Sequence, residues 1–137
     1  MDSNSTVLLV EDEESDLKHW SDILRKLDYS VLEATDPRLG LRTCREHKVD
    51  CVVLDLDMPE SGFAFLIELI ENHQRPIVPV IVLTRLMNRN VLEMARNNGA
   101  HACLIKHRTS AQELHQAIQN AMASVAAMRT SLPPSPQ

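Results

Sequence analysis

The sequence predicts a doubly wound α/β domain, a five-stranded parallel sheet with helices on both faces. Five short apolar, β-branched runs recur along the chain, and every interval between them has helical spacing. The alternation is strict, which implies parallel strands joined by right-handed crossovers. At 137 residues, 44% hydrophobic and 24% charged, the chain suits one ordinary core and is short for two.

The strands are read at Thr6–Val10, Ser30–Ala34, Cys51–Leu54, Val78–Leu83 and Ala102–Ile105, each the length of a strand buried on both faces. After the first comes a helix starting near Ser15, with Asp12 or Glu14 as its cap. Leu17, Trp20, Ile23, Leu24 and Leu27 recur there at intervals of three and four, so Trp20 belongs to the buried stripe. Asp36 before Pro37 is an N-cap with proline at the first helical position, opening a helix through about Glu46. Ser61 begins a third helix carrying Phe65, Leu66, Leu69 and Ile70. Asn88 begins a fourth, with Val91, Leu92 and Ala95, that stops at Asn98-Gly99. A fifth follows Thr109 or Ser110, with Leu114, Ala117, Ile118, Ala121, Met122 and Val125 on one face. The domain is expected to span residues 1–127, leaving 128–137 as a Pro/Ser-rich flexible tail or linker.

Composition narrows the function. The formal charge is −5 and the basic residues are scattered, which gives no support to a nucleic-acid surface. Three cysteines, Cys44, Cys51 and Cys103, are odd in number and lack CxxC spacing, so neither a disulfide framework nor a zinc knuckle is suggested. The polar start MDSNST is unlike a signal peptide, and no apolar run approaches the ~20 residues that span a bilayer. A cytoplasmic setting is expected. The six histidines are dispersed and are read as solvated surface.

In open α/β sheets, sites form at the carboxyl ends of the strands, beside the point where strand order reverses. There the first strand runs into Glu11 and Asp12, the third ends on Asp55, the fourth on Thr84 and the fifth on Lys106. Three carboxylates brought together repel one another unless a cation neutralises them, and hard oxygen ligands of this kind select Mg²⁺. A carboxylate held in that field can attack phosphorus, because a metal and a nearby ammonium offset the charge on the transferring oxygens. Asp55 is the natural nucleophile, Lys106 its cationic partner, and Thr84 a hydroxyl donor to the arriving group.

With these residues in place, the sequence resembles the receiver domain of two-component response regulators, from Val7 to about Ala126. VLLVEDEESD is similar to the family's acidic pair, VVLDLDMP to its phosphoacceptor strand, VIVLT to its switch-threonine strand and GAHACLIK to its lysine strand. The resemblance implies a (βα)5 flavodoxin-like fold and phosphoryl transfer from a histidine kinase or phosphotransfer protein onto Asp55. It also implies Mg²⁺ held by Glu11, Asp12, Asp55 and the backbone carbonyl of Asp57. Signalling would pass through the face of the fourth helix, fifth strand and fifth helix. The ending LIKHRTSAQELHQAIQNAM resembles receivers of hybrid sensor kinases, which makes a downstream protein or a fused sensory or output domain an expected partner.

Four positions depart from the family pattern. Gly62 implies a shortened loop after Pro59. Arg85 follows the threonine where a small residue is usual, placed to pair with Asp55, Asp57 or an incoming phosphate. Cys103 replaces the switch aromatic, and His107 replaces the proline after the lysine. Two other readings fit parts of the pattern: a pseudo-receiver that docks partners without phosphorylation, and a haloacid-dehalogenase-type phosphatase with Asp57 as general acid. The latter leaves Glu11 and Asp12 without a role and lacks acidic metal ligands after Lys106.

Overall fold

A computed structural model describes residues 4–55, 78–85, 89–97 and 99–131. The third predicted helix, Asp57, Gly62 and Asn88 lie outside them. The described elements are β1 (Thr6–Val10), α1 (Glu14–Lys26), β2 (Ser30–Ala34), α2 (Pro37–Glu46), β3 (Cys51–Asp55), β4 (Val80–Thr84), α3 (Arg89–Asn97), β5 (Ala102–Ile105) and α4 (Ala111–Ser131). All pairings are parallel and the strand order is β2-β1-β3-β4-β5. This is the doubly wound arrangement that the alternation predicts.

The period of two along each strand divides the core. Leu8, Val10, Val52, Leu54, Val80 and Val82 share one face, covered by Leu41 and Cys44 of α2 and Ala95 of α3. Val7, Leu9, Cys51, Val53, Ile81 and Leu83 share the other, covered by Trp20 and Leu24 of α1 and by Leu114, Ile118 and Ala121 of α4. The register keeps the faces in phase, with Leu8 opposite Val52 and Val53 opposite Ile81. β3 and β4 are buried at every position, as their unbroken apolar runs require.

Local chemistry sets the boundaries. The carboxylate that caps α1 belongs to Glu13, accepting from the backbone N–H of Ser15, so neither Asp12 nor Glu14 takes that role. Asp36 caps α2 as expected, its Oδ1 2.8 Å from the N–H of Leu39. β4 begins at Val80, two residues later than the apolar run suggests, because Pro79 has no N–H to give the ladder and offers only its carbonyl, to Val52. α3 closes on Gly99 at φ 103°, a left-handed turn that glycine adopts without cost. α4 opens with a reciprocal cap: Ser110 Oγ accepts from Glu113 N–H and Glu113 Oε1 accepts from Ser110 N–H. Its backbone stays helical to Ser131, past residue 127 where the sequence ends the domain, since nothing in Met128–Ser131 breaks a helix before the prolines.

Two histidines differ from the expectation of solvated surface. His101 is half-buried beside the start of β4, its Nδ1 3.4 Å from the N–H of Val80. His115 of α4 meets the Tyr29 hydroxyl at 2.8 Å. Both lie where an element packs against the sheet, a tertiary fact that residue type alone does not carry.

Candidate functional site

Because every strand is parallel, all five carboxyl ends lie along one edge of the sheet. The order reverses between β1 and β3, which opens a crevice there. Glu11, immediately after β1, is held in place by its N–H to the Ala34 carbonyl at 2.9 Å, and its Oε2 accepts from Glu13 N–H at 3.2 Å. Asp55 ends β3, paired in register with Leu83, and Thr84 ends β4, fully buried. Lys106 follows β5 and opens a short 3-10 turn, Lys106–Arg108, which Thr109 secures through its hydroxyl to the Ile105 carbonyl. The Lys106–His107 bond is trans.

Four of these side chains converge. One carboxylate oxygen from each of Glu11, Asp12 and Asp55 lies within 4.8 Å of the other two, and Asp12 is exposed. Lys106 Nζ stands 2.5 Å from Glu11 Oε1, 3.0 Å from Asp16 Oδ2 and 3.2 Å from Asp55 Oδ2. The Lys106 side chain is 7% exposed, and Glu11 and Asp55 are buried. Burial by itself would lower the pKa of this ammonium. Its hydrogen bonds to Glu11 and Asp16 and the charge of Asp55 more than offset that, and it is pushed up to about 12. Lys106 is therefore a fixed cation within the biological pH range.

Asp16 is the residue that the sequence reading missed. It sits in the first turn of α1, where an acid is explained by the helix dipole. The available signal is its place in the first turn of the helix that leaves the acidic end of β1. Burial opposes its charge, but hydrogen bonding to Lys106 and the nearby Arg85 hold its pKa below the ordinary carboxylate value.

Arg85 reaches the first turn of α1. Its guanidinium pairs with Asp16 of α1 and, at 3.2 Å, with Glu13, the N-cap of that helix. The two acids offer it a double partner, the Glu13 side half-exposed and the Asp16 side largely covered. Of its expected partners, Asp57 lies outside the described residues. Between Arg85 and the site is a cleft of about 320 Å³ lined by Asp16, His19, Trp20, Arg85, Lys106 and His107. Cys103 packs half-buried against the α2–α3 side of the core, and burial raises its thiol to about 11.

A sequence profile of the response regulator receiver domain matches residues 7–119. The chain belongs to this family. Among curated relatives of this receiver, the transcriptional regulatory protein PdtaR of Mycobacterium tuberculosis is 33% identical over 102 residues, which cover 73% of this chain and 48% of that protein. The receiver thus matches about half of PdtaR. A response regulator receiver structure from Clostridium thermocellum superposes with a TM-score of 0.81 at 30% identity, covering 90% of this chain and 98% of that one. The receiver domain of a Pseudomonas aeruginosa sensor histidine kinase superposes with a TM-score of 0.78 at 24% identity, covering 88% and 98%. In that protein a magnesium ion is coordinated in the active-site cleft. With the family shown, the haloacid-dehalogenase alternative falls away.

Receiver domains bind Mg²⁺ in an acidic site, and the residues here suit that ion. The donors are hard carboxylate oxygens without sulfur or imidazole, they are mutually close, and exposed Asp12 leaves one side open to the hydrated cation.

Proposed function

We propose that this receiver accepts a phosphoryl group on Asp55, in a Mg²⁺-dependent reaction, from the phosphohistidine of a histidine kinase or phosphotransfer protein. The observation that carries the reading is the setting of Asp55. It is a buried carboxylate with the ammonium of Lys106 3.2 Å from one oxygen and the oxygens of Glu11 and Asp12 within 4.8 Å.

In the transfer, a carboxylate oxygen of Asp55 forms the new P–O bond while the P–N bond to the donor imidazole breaks. The electron pair leaves with the imidazole nitrogen. Lys106 donates an N–H to a phosphoryl oxygen and so holds positive charge where negative charge gathers. Thr84, buried at the end of the adjacent strand, donates its hydroxyl to another oxygen. Glu11, Asp12, Asp55 and the backbone carbonyl of Asp57 would hold Mg²⁺, which when bound offsets the charge on the transferring oxygens. A cytoplasmic setting goes with that proposed kinase partner. The proposed output surface is the face of α3, β5 and α4, read by a downstream protein or a fused domain.

The test is incubation with Mg²⁺ and acetyl phosphate, followed by intact-mass measurement. A labile, phosphate-sized increase is expected in the native chain and not in Asp55→Asn. If no Asp55-dependent increase forms, and beryllofluoride with Mg²⁺ also fails to bind, the phosphoacceptor reading falls. The pseudo-receiver reading, which Cys103 at the aromatic position favours, then takes its place.

A further inference from the structure

We infer that Asp16 is a positioning residue for phosphoryl transfer, holding the Lys106 ammonium in place while Lys106 hands one of its N–H bonds to the phosphoryl group. This rests on Asp55 being the acceptor.

The ammonium of Lys106 has three N–H bonds, and among the described residues three carboxylates stand around it: Glu11, Asp16 and Asp55. Two of the three belong to the acidic cluster whose oxygens lie within 4.8 Å of one another, while Asp16 stands outside it. When Glu11 and Asp55 turn their oxygens to a cation, their hold on Lys106 weakens. When Asp55 then forms its P–O bond and the donor's P–N bond breaks, the oxygen that faced Lys106 is committed to the acyl phosphate. Asp16 is the acceptor of the three that keeps its geometry throughout. It ties the flexible stem of Lys106 to α1, an element packed on the sheet, so a long side chain meets the phosphoryl oxygen from a fixed direction.

The ordinary explanation of Asp16, an acid in the first turn of a helix, accounts for Glu14, which is exposed. It does not account for a carboxylate only 21% exposed, one oxygen of which accepts both Lys106 and Arg85. Arg85 follows β4 and Lys106 follows β5, so the cations of two strand ends meet on one atom of α1.

The experiment uses the full chain and two readouts. Side-chain ammonium groups held in buried ion pairs exchange slowly enough to be seen by ¹⁵N NMR, and the Lys106 signal is assigned by its loss in Lys106→Arg. In Asp16→Asn it should broaden away and in Asp16→Glu it should persist. The maximal rate of phosphorylation by acetyl phosphate should drop roughly tenfold in Asp16→Asn, about the worth of one charge-assisted hydrogen bond, and recover in Asp16→Glu. The half-saturating Mg²⁺ and acetyl phosphate concentrations should stay within about twofold of the native values, since Asp16 binds neither. An undiminished Lys106 signal in Asp16→Asn would overturn the inference, as would a lost signal with an unchanged maximal rate. The NMR arm needs no phosphorylation. A native chain that never phosphorylates sinks the Asp55 reading, while the ammonium signal still decides whether Asp16 holds Lys106.

Discussion

Glu11 and Lys106 form a buried ion pair, 2.5 Å from Nζ to Oε1, that joins the end of β1 to the end of β5 across the ends of β3 and β4. The two residues are 95 apart in sequence, and their attraction holds a crowd of carboxylates together. Removing the cation leaves those carboxylates in a poorly hydrated crevice. Lys106→Met is expected to lower stability by about 3 kcal/mol, the cost of breaking a buried pair from one side. Urea unfolding checks it. Mg²⁺ should return part of the loss by supplying positive charge to the same oxygens, and a variant as stable as the native chain would count against the pair.

Arg85 is the opposite case. Its side chain is 56% exposed, so its pairs with Glu13 and Asp16 are open to water from the guanidinium side. Arg85→Ala should change stability by less than about 1 kcal/mol. The same substitution opens the cleft beside Lys106, so phosphorylation by acetyl phosphate is expected to rise about threefold, a barrier change under 1 kcal/mol. An unchanged rate would show that Arg85 does not screen the site.

These two residues also show how far the sequence could be read. The strands, their direction and the edge that gathers Glu11, Asp12, Asp55, Thr84 and Lys106 follow from alternation and from the rule that sites form at strand ends. Each depends on local pattern plus topology. The partner of a long, exposed side chain does not, because Arg85 reaches several acids and the choice among them is set by the packing of α1. Asp16 escaped for the same reason, since its role comes from the approach of α1 to β5. The half-burial of His101 and His115 is not legible in sequence, because burial of an isolated polar residue depends on which element covers it.

The cysteines carry a prediction about reactivity. Burial raises Cys51 at the start of β3 to about 12, and Cys44 and Cys103 to about 11. At pH 8 the thiolate fraction of the latter two is on the order of 10⁻³. A disulfide reagent added to the native chain should therefore titrate none of the three thiols within minutes, and all three in urea. A thiol that reacts promptly in native buffer would contradict the burial assigned to it.

His101 predicts a pH effect of definite sign. Burial lowers its pKa below the ordinary histidine value, and its Nδ1 accepts from Val80 only when unprotonated. The folded chain thus binds this proton less readily than the unfolded chain does. The contribution is complete above the unfolded pKa of about 6.5 and is lost as pH falls through it toward the lower folded value. The urea midpoint should decline between pH 7.5 and 5.5 by the equivalent of about 0.5 kcal/mol, the low end of a hydrogen bond's worth. His101→Gln should flatten the decline relative to the native chain. An equal slope in both would assign the effect elsewhere.

Trp20 offers a direct report on the acidic cluster. It is the single tryptophan of the chain, buried against the sheet, and it lines the same cleft as Asp16 and Lys106. A divalent cation taken up by Glu11, Asp12 and Asp55 would compete with Lys106 for Glu11 and Asp55, two of its described partners, and so redistribute charge along that cleft. Adding Mg²⁺ should shift the Trp20 emission in a saturable way, and EDTA should reverse it. The same titration should raise stability by about 1.4 kcal/mol when Mg²⁺ reaches tenfold its dissociation constant. Asp12→Ala removes the exposed ligand while leaving the Glu11–Lys106 pair in place, so it should abolish both responses without unfolding the chain. If instead Asp12→Ala binds Mg²⁺ as tightly as the native chain, the cation is held by other groups and the assignment of these three carboxylates is wrong.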